Sequence, residues 1–284
     1  MNNIQVLVED KKKHNYIPLL LLLGLLFLRF PFLILVLFNK IPISKAIGSN
    51  VFQDGTYLLT AMLIFIKRDS LSEYNMDFFS LLIFMIAPIA KMISEYSLAT
   101  KESYNSMISA DWWFQIVISI CLLITLLLYR PKLHKRGIRK MLLWFLIAVT
   151  VGIGSGVLLG YITSLQSIGK SAVHPTIPLL ISLFFIQLGS AAAVEEPLFR
   201  GFLWGFLKNQ HWNEYLIWLF QAALFMFGHI YYFGVNNFSF FIIVPFSALM
   251  FGLFAWRSRS IGTSMIVHGF YNSVIDVVSH MAWQ

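Results

Sequence analysis

Charge is scarce in this chain. Only 12% of its 284 residues are charged, 13 of them acidic and 21 basic. Soluble domains run at about a quarter charged, so these residues are too few to clothe a water-facing surface of normal density. Cysteine is scarcer still. Cys121 stands alone inside an apolar run, which excludes an internal disulfide. No small-residue cleavage site follows the first apolar stretch, which comes directly after Lys11-Lys12-Lys13. That stretch therefore reads as a first membrane helix and not as a removable leader. Linkers, internal repeats and any segment resembling a soluble domain are also missing.

What is abundant is apolar. Hydrophobic residues make up 58% and aromatic residues 16%, and the mean hydropathy is +0.74. The solvent implied is lipid, and the bilayer is the first expected partner. The Phe and Trp abundance is read as lipid-facing or interfacial. A net charge of +8 in a soluble protein would suggest nucleic acid. Here it is read as the mark of cytoplasmic loops, with no nucleic-acid partner. Nine apolar segments can be drawn, at roughly 17–38, 51–66, 78–94, 112–129, 141–164, 176–207, 214–233, 238–256 and 260–281. Each is near the ~20 residues that a helix needs to cross the hydrocarbon core. The expected fold is an all-α, polytopic transmembrane bundle of about nine spans. Residues 1–170 would form N-terminal helices with a basic cytoplasmic loop, and 171–284 a catalytic membrane core.

The basic residues test this count. With the N-terminus inside, 14 of the 21 fall in cytoplasmic segments, among them the cluster Arg130, Lys132, Lys135, Arg136, Arg139 and Lys140. Lys40, Lys45, Lys101 and Lys170 fall outside, and Arg29, Lys91 and Arg200 lie within or beside spans. Such asymmetry is what the positive-inside rule expects, and dropping one helix before Arg130 would reverse it. The expected location is the cell membrane, with the N-terminus cytoplasmic and the C-terminus external. Anionic lipid is a secondary partner for the cluster at 130–140.

Ionisable groups within hydrocarbon are costly, and by default they mark function. The sixth segment carries Glu195 and Glu196, then Pro197 and Arg200. On a helical wheel Arg200 lies about 40° from Glu196, close enough for an ion pair, but about 140° from Glu195. Glu196 is thus expected to be held by Arg200, with Glu195 facing something else. With one nearby arginine, the two acids would leave a surplus negative charge that a purely structural network avoids. Phe225 and His229 share one helix face, as do His268 and Asn272, with Asp276 and His280 continuing that register. Three helices could aim Glu195, His229, His268 and Asn272 at one point. Asp276 and His280 are expected nearer the outer, solvated end, and Arg29 to snorkel or to pair within the bundle. His14, His134, His174 and His211 read as ordinary surface residues.

These residues carry a resemblance. Glu-Glu with arginine four positions after the second, then Phe-x-x-x-His, then His-x-x-x-Asn is the pattern of the CPBP/ABI family of intramembrane proteases, which includes the CAAX prenyl endopeptidases. The chain has EEPLFR at 195–200, FMFGH at 225–229 and HGFYN at 268–272, in order and each on its own apolar segment. The resemblance covers roughly 176–281. It implies an endopeptidase acting on a membrane-associated peptide or protein from a water-filled cavity.

Hydrolysis there needs a confined water, a base and donors for the oxyanion. Burial disfavours a charged carboxylate, which suits Glu195 to general base and acid work. His229 would orient the water or donate to the intermediate. His268 and Asn272 would stabilise the oxyanion, and Glu196 with Arg200 would support the site. The favoured mechanism uses no cofactor. The alternative is zinc held by Glu195, His229 and His268. Two non-peptidase readings stay open: a bacteriocin-immunity or scaffold protein that keeps these residues as a binding site, and, last, a proton-coupled transporter.

Overall fold

The computed structural model describes residues 16–99, 112–133, 136–165 and 176–280. Lys11 to Lys13, Lys101, Lys135, Lys170, His14, His134 and His174, assigned above to loops and surfaces, lie outside them. Among the described residues the chain is helical, with no strand. We number the helices α1 (Tyr16–Leu37), α2 (Lys45–Ile66), α3 (Phe78–Ala99), α4 (Trp112–Leu128), α5 (Ile138–Leu165), α6 (Ile177–Asn209), α7 (Glu214–Phe227), α8 (Ser239–Ser258) and α9 (Ile261–Val278). Those apolar runs that are long enough to satisfy every backbone group internally give an all-α membrane bundle. By length and composition α1, α5, α6, α8 and most of α3 can each cross a bilayer alone.

Several boundaries follow local chemistry. α2 starts at Lys45, six residues before its apolar stretch, because the Ser44 hydroxyl accepts from the Ile47 N–H at 3.3 Å and caps the first turn. Thr176 and Asn213 cap α6 and α7 in the same way. α7 stops at Phe227, short of the 233 expected from hydropathy, and a single 3₁₀ turn at Ile230–Tyr232 follows.

α5 and α9 form the closest helix pair. Gly152, Gly156 and Gly160 recur every fourth residue on α5 and face Phe270, Val274 and Val278 in turn. A Cβ on any of the three would stand 2.8–2.9 Å from an α9 side chain. Small residues at this spacing let two backbones approach. The contacts advance together along both chains, so α5 and α9 run parallel. That is what an even number of crossings between them requires.

The loops after α2, α4, α6 and α8 meet at one end. The Lys132 N–H donates to the Arg68 carbonyl at 2.9 Å, the Ile261 N–H to Asn75 at 2.8 Å, and Asn209 Nδ2 to Glu73 at 3.4 Å. At the centre, Asp77 Oδ1 accepts from the Ser80 and Ser260 hydroxyls at 2.6 and 2.8 Å, and Asp77 Oδ2 lies 3.3 Å from Arg136. Arg136 also donates to the Ser258 carbonyl. Burial pulls the Arg136 pKa down from its usual value, and Asp77 opposes that shift. These are the loops in which the basic residues concentrate.

Candidate active site

α6 is not a uniform helix. A wide π turn at Leu188–Ala192 precedes one ordinary turn, Ala193–Glu196, and a second π stretch at Pro197–Leu203 follows. Pro197 has no N–H to return to the preceding turn, and the ladder opens there. The two glutamates sit on the ordinary turn between these breaks. Both are buried, Glu195 at 7% exposure and Glu196 at 0%.

Glu196 is sealed on every side. Its Oε1 accepts from Arg200 at 3.3 Å and lies 2.8 Å from His268 Nδ1, and its Oε2 accepts from the Ser264 hydroxyl at 2.5 Å. The Glu196–Arg200 pair expected from spacing is therefore present. Arg200 also donates to the Ala248 carbonyl of α8 at 3.0 Å, and its guanidinium lies 4.4 Å from the Phe225 ring centroid. Because Glu196 is an acceptor, His268 donates to it through Nδ1–H and turns Nε2 toward the other glutamate.

Glu195 faces differently, but it is not left without a cation. Arg29 of α1 reaches it at 2.8 Å, Nη1 to Oε1. Two arginines thus balance two glutamates, which removes the surplus negative charge inferred above. Arg29 is 3% exposed and sits on a π turn, Leu28–Phe32, opened by Pro31. Its Nη2 lies 3.2 Å from His229 Nε2. A Cβ at residue 228 would stand 2.7 Å from Arg29 Nε, so Gly228 leaves the arginine room.

His229 and His268 flank Glu195, with Nε2 of each 4.0 Å from a different carboxylate oxygen. His229 Nδ1 lies 2.8 Å from the Phe225 carbonyl, which only accepts, so this nitrogen carries the proton. Each ring therefore turns Nε2 toward Glu195. Asn272 remains a donor. One of its N–H groups goes to Gln187 Oε1 at 3.2 Å, which leaves the second. Gln187 in turn donates to Asp276 Oδ2 at 2.7 Å.

A cavity of about 390 Å³ opens on these groups. Glu195, His229, His268 and Asn272 all line it, and so does Asp276, near the end of α9. Arg29, Glu196 and Arg200 stand behind the wall. Gln187, Arg29 and Ser264 were not picked out as site residues by sequence reasoning.

Zinc fits this arrangement poorly. Among the described residues no group of three or more His, Cys, Asp or Glu side chains is placed to hold a metal ion. The Arg29 guanidinium is within 3.3 Å of both Glu195 and His229, and a divalent cation would meet that charge.

Residues 177–274 match the type II CAAX prenyl endopeptidase Rce1-like family. This segment, about a third of the chain, is similar to the CPBP/CAAX protease-like family. No curated protein and no solved structure matches the chain. The CAAX-protease-like segment runs from the start of α6 into α9 and contains every motif residue, but it excludes Arg29 and Asp276.

Proposed function

We propose that this protein is an intramembrane endopeptidase that hydrolyses a peptide bond of a membrane-associated substrate with a water activated by Glu195. The observation that carries the reading is the placement of one carboxylate at a cavity wall, with an imidazole nitrogen 4.0 Å from each of its oxygens. A separation of that size suits a bridging water better than a direct hydrogen bond. Water between Glu195 and His268 would donate one hydrogen to each and direct a lone pair at the substrate carbonyl. As its oxygen bonds to carbon, Glu195 takes the proton. Asn272 Nδ2 donates to the resulting oxyanion. Glu195 then returns the proton to the amide nitrogen as the C–N bond breaks. His229 holds the other side of the carboxylate. Glu196 fixes the His268 tautomer, and Arg200 holds Glu196. No metal takes part in this scheme. The basic loop end is assigned to the cytoplasm.

A second reading has its own observation. The balanced Arg29–Glu195 pair is also what a binding or scaffold role without chemistry would use. Mapping peptide ends in membranes from wild-type and Glu195→Gln cells separates the two. Hydrolysis requires an end that is present in the first and absent from the second. Identical ends, with Glu195→Ala still complementing a deletion, would leave the scaffold reading standing.

A further inference from the structure

Glu195 is not the only carboxylate on the cavity wall. Among the described residues Asp276 is the other acid, and no described lysine or arginine lines the space. Glu195 has Arg29 at 2.8 Å, whereas among the described residues no cation comes within ion-pair distance of Asp276. Gln187 supplies one hydrogen bond to Oδ2. His280, one turn on, lies with Nδ1 2.7 Å from the Asp276 backbone carbonyl and is near enough to interact electrostatically with the carboxylate, but it forms no ion pair with it. The surrounding wall offers hydroxyls and amides, Tyr232, Asn236 and Ser279 among them, instead of a greasy slot. A largely buried carboxylate, held in place by a neutral amide and facing a cavity, is suited to receive one further partner, a cation.

We infer that Asp276 is a specificity residue that receives a positively charged group of the substrate, a lysine or arginine side chain. The inference rests on the peptidase reading above and names the chemistry of its substrate. Spacing sets where the cation falls. Asp276 follows His268 by eight residues on α9, which is ~12 Å along a helix. An extended peptide covers that distance in roughly three or four residues. The cation is therefore expected within about four residues of the bond that is cut.

The test is selection of peptides by catalytically silent protein. A library of random heptapeptides, acetylated and amidated to remove terminal charge, is passed over detergent-solubilised Glu195→Gln protein, and the retained peptides are sequenced. Lysine and arginine are expected to be enriched ~10-fold over aspartate and glutamate, as a charged hydrogen bond in a desolvated site allows. Adding Asp276→Asn, which keeps the shape and an acceptor for Gln187, is expected to abolish the preference at unchanged melting temperature. Adding Asp276→Lys is expected to reverse it. An absent preference, or one that persists in the Asp276→Asn protein, overturns the inference. If the lysine variant does not fold, the asparagine variant decides alone. Binding is read without turnover, so the two claims fail separately. A lack of Glu195-dependent peptide ends in cells refutes the peptidase, and an unbiased library refutes the cationic subsite.

Discussion

Two ion pairs stand side by side in this bundle, on adjacent residues, and they differ in what surrounds them. Glu196 with Arg200 is closed off: every oxygen has a donor from the protein, and neither residue touches the cavity. Glu195 with Arg29 is half open. One oxygen meets the arginine, and both look across 4.0 Å gaps to imidazole nitrogens at a cavity wall. A buried ion pair whose carboxylate is satisfied on all sides stiffens a structure, even with Arg200 Nε left without an acceptor. One with spare hydrogen-bonding capacity facing a cavity can do chemistry. The difference arises from the helices that supply the partners. α9 lies against Glu196 with Ser264 and His268, while α1 reaches only one edge of Glu195.

The largest expected effect is on activity. Glu195→Gln keeps the shape and most hydrogen bonds but removes the base, so the Glu195-dependent peptide end should fall at least ~10²-fold while expression stays normal. Cleavage near the wild-type rate would break the comparison at its root. The closed pair should answer in stability instead. Glu196→Ala strands Arg200 and His268 in a dry setting, which typically costs ~3–5 kcal/mol. Melting temperature in detergent should drop accordingly, and Glu196→Ala with Arg200→Ala should recover part of the loss.

Arg29 changes what the alanine variant of the open pair does. From the sequence, Glu195→Ala would relieve a like-charge pair and cost no stability. In the structure it strands Arg29, so its melting temperature should fall below that of Glu195→Gln and recover in the double variant Glu195→Ala with Arg29→Met. Equal melting temperatures for Glu195→Ala and Glu195→Gln would show that Arg29 does not depend on this carboxylate.

Much of this was legible beforehand, for a physical reason. Long apolar runs leave the backbone one way to satisfy itself in lipid, so the helices could be read from composition. Glu196 and Arg200 are four apart on one helix, and local geometry settles them. Arg29 and Glu195 are 166 positions apart, and α1 is apolar on all sides, with no polar stripe to show which face turns inward. Pro31 was the available signal, since a proline that opens a π turn beside a lone intramembrane arginine marks a place where the helix departs from regularity. In the sequence Gln187 is an isolated polar residue in an apolar run. Its role depends on Asn272 and Asp276 arriving from α9. Asp276 was read as near the outer end of its helix, and what the sequence does not show is that the cavity reaches toward that end. The three glycines of α5 were legible in spacing and went unused.

The smallest effects sharpen the comparison most, because they concern neutral partners of each carboxylate's surroundings. Ser264 donates to Glu196 at 2.5 Å and does not line the cavity. Gln187 lines the cavity and accepts from Asn272. Ser264→Ala removes one donor from a sealed carboxylate, a loss of ~1–3 kcal/mol. Its peptide-end yield should drop only as far as the reduced amount of folded protein explains. Gln187→Leu removes the amide that sets Asn272, so it should lower the yield per folded molecule by about tenfold, a modest misplacement of one oxyanion donor. It should cost little in melting temperature, because the groups it leaves behind face the cavity, where water can reach them. Measured together, the two variants should move on different axes, Ser264→Ala along stability and Gln187→Leu along activity. If Gln187→Leu melts early at normal specific activity, Asn272 does not depend on Gln187, and the polar wall running to Asp276 belongs to the scaffold and not to the site.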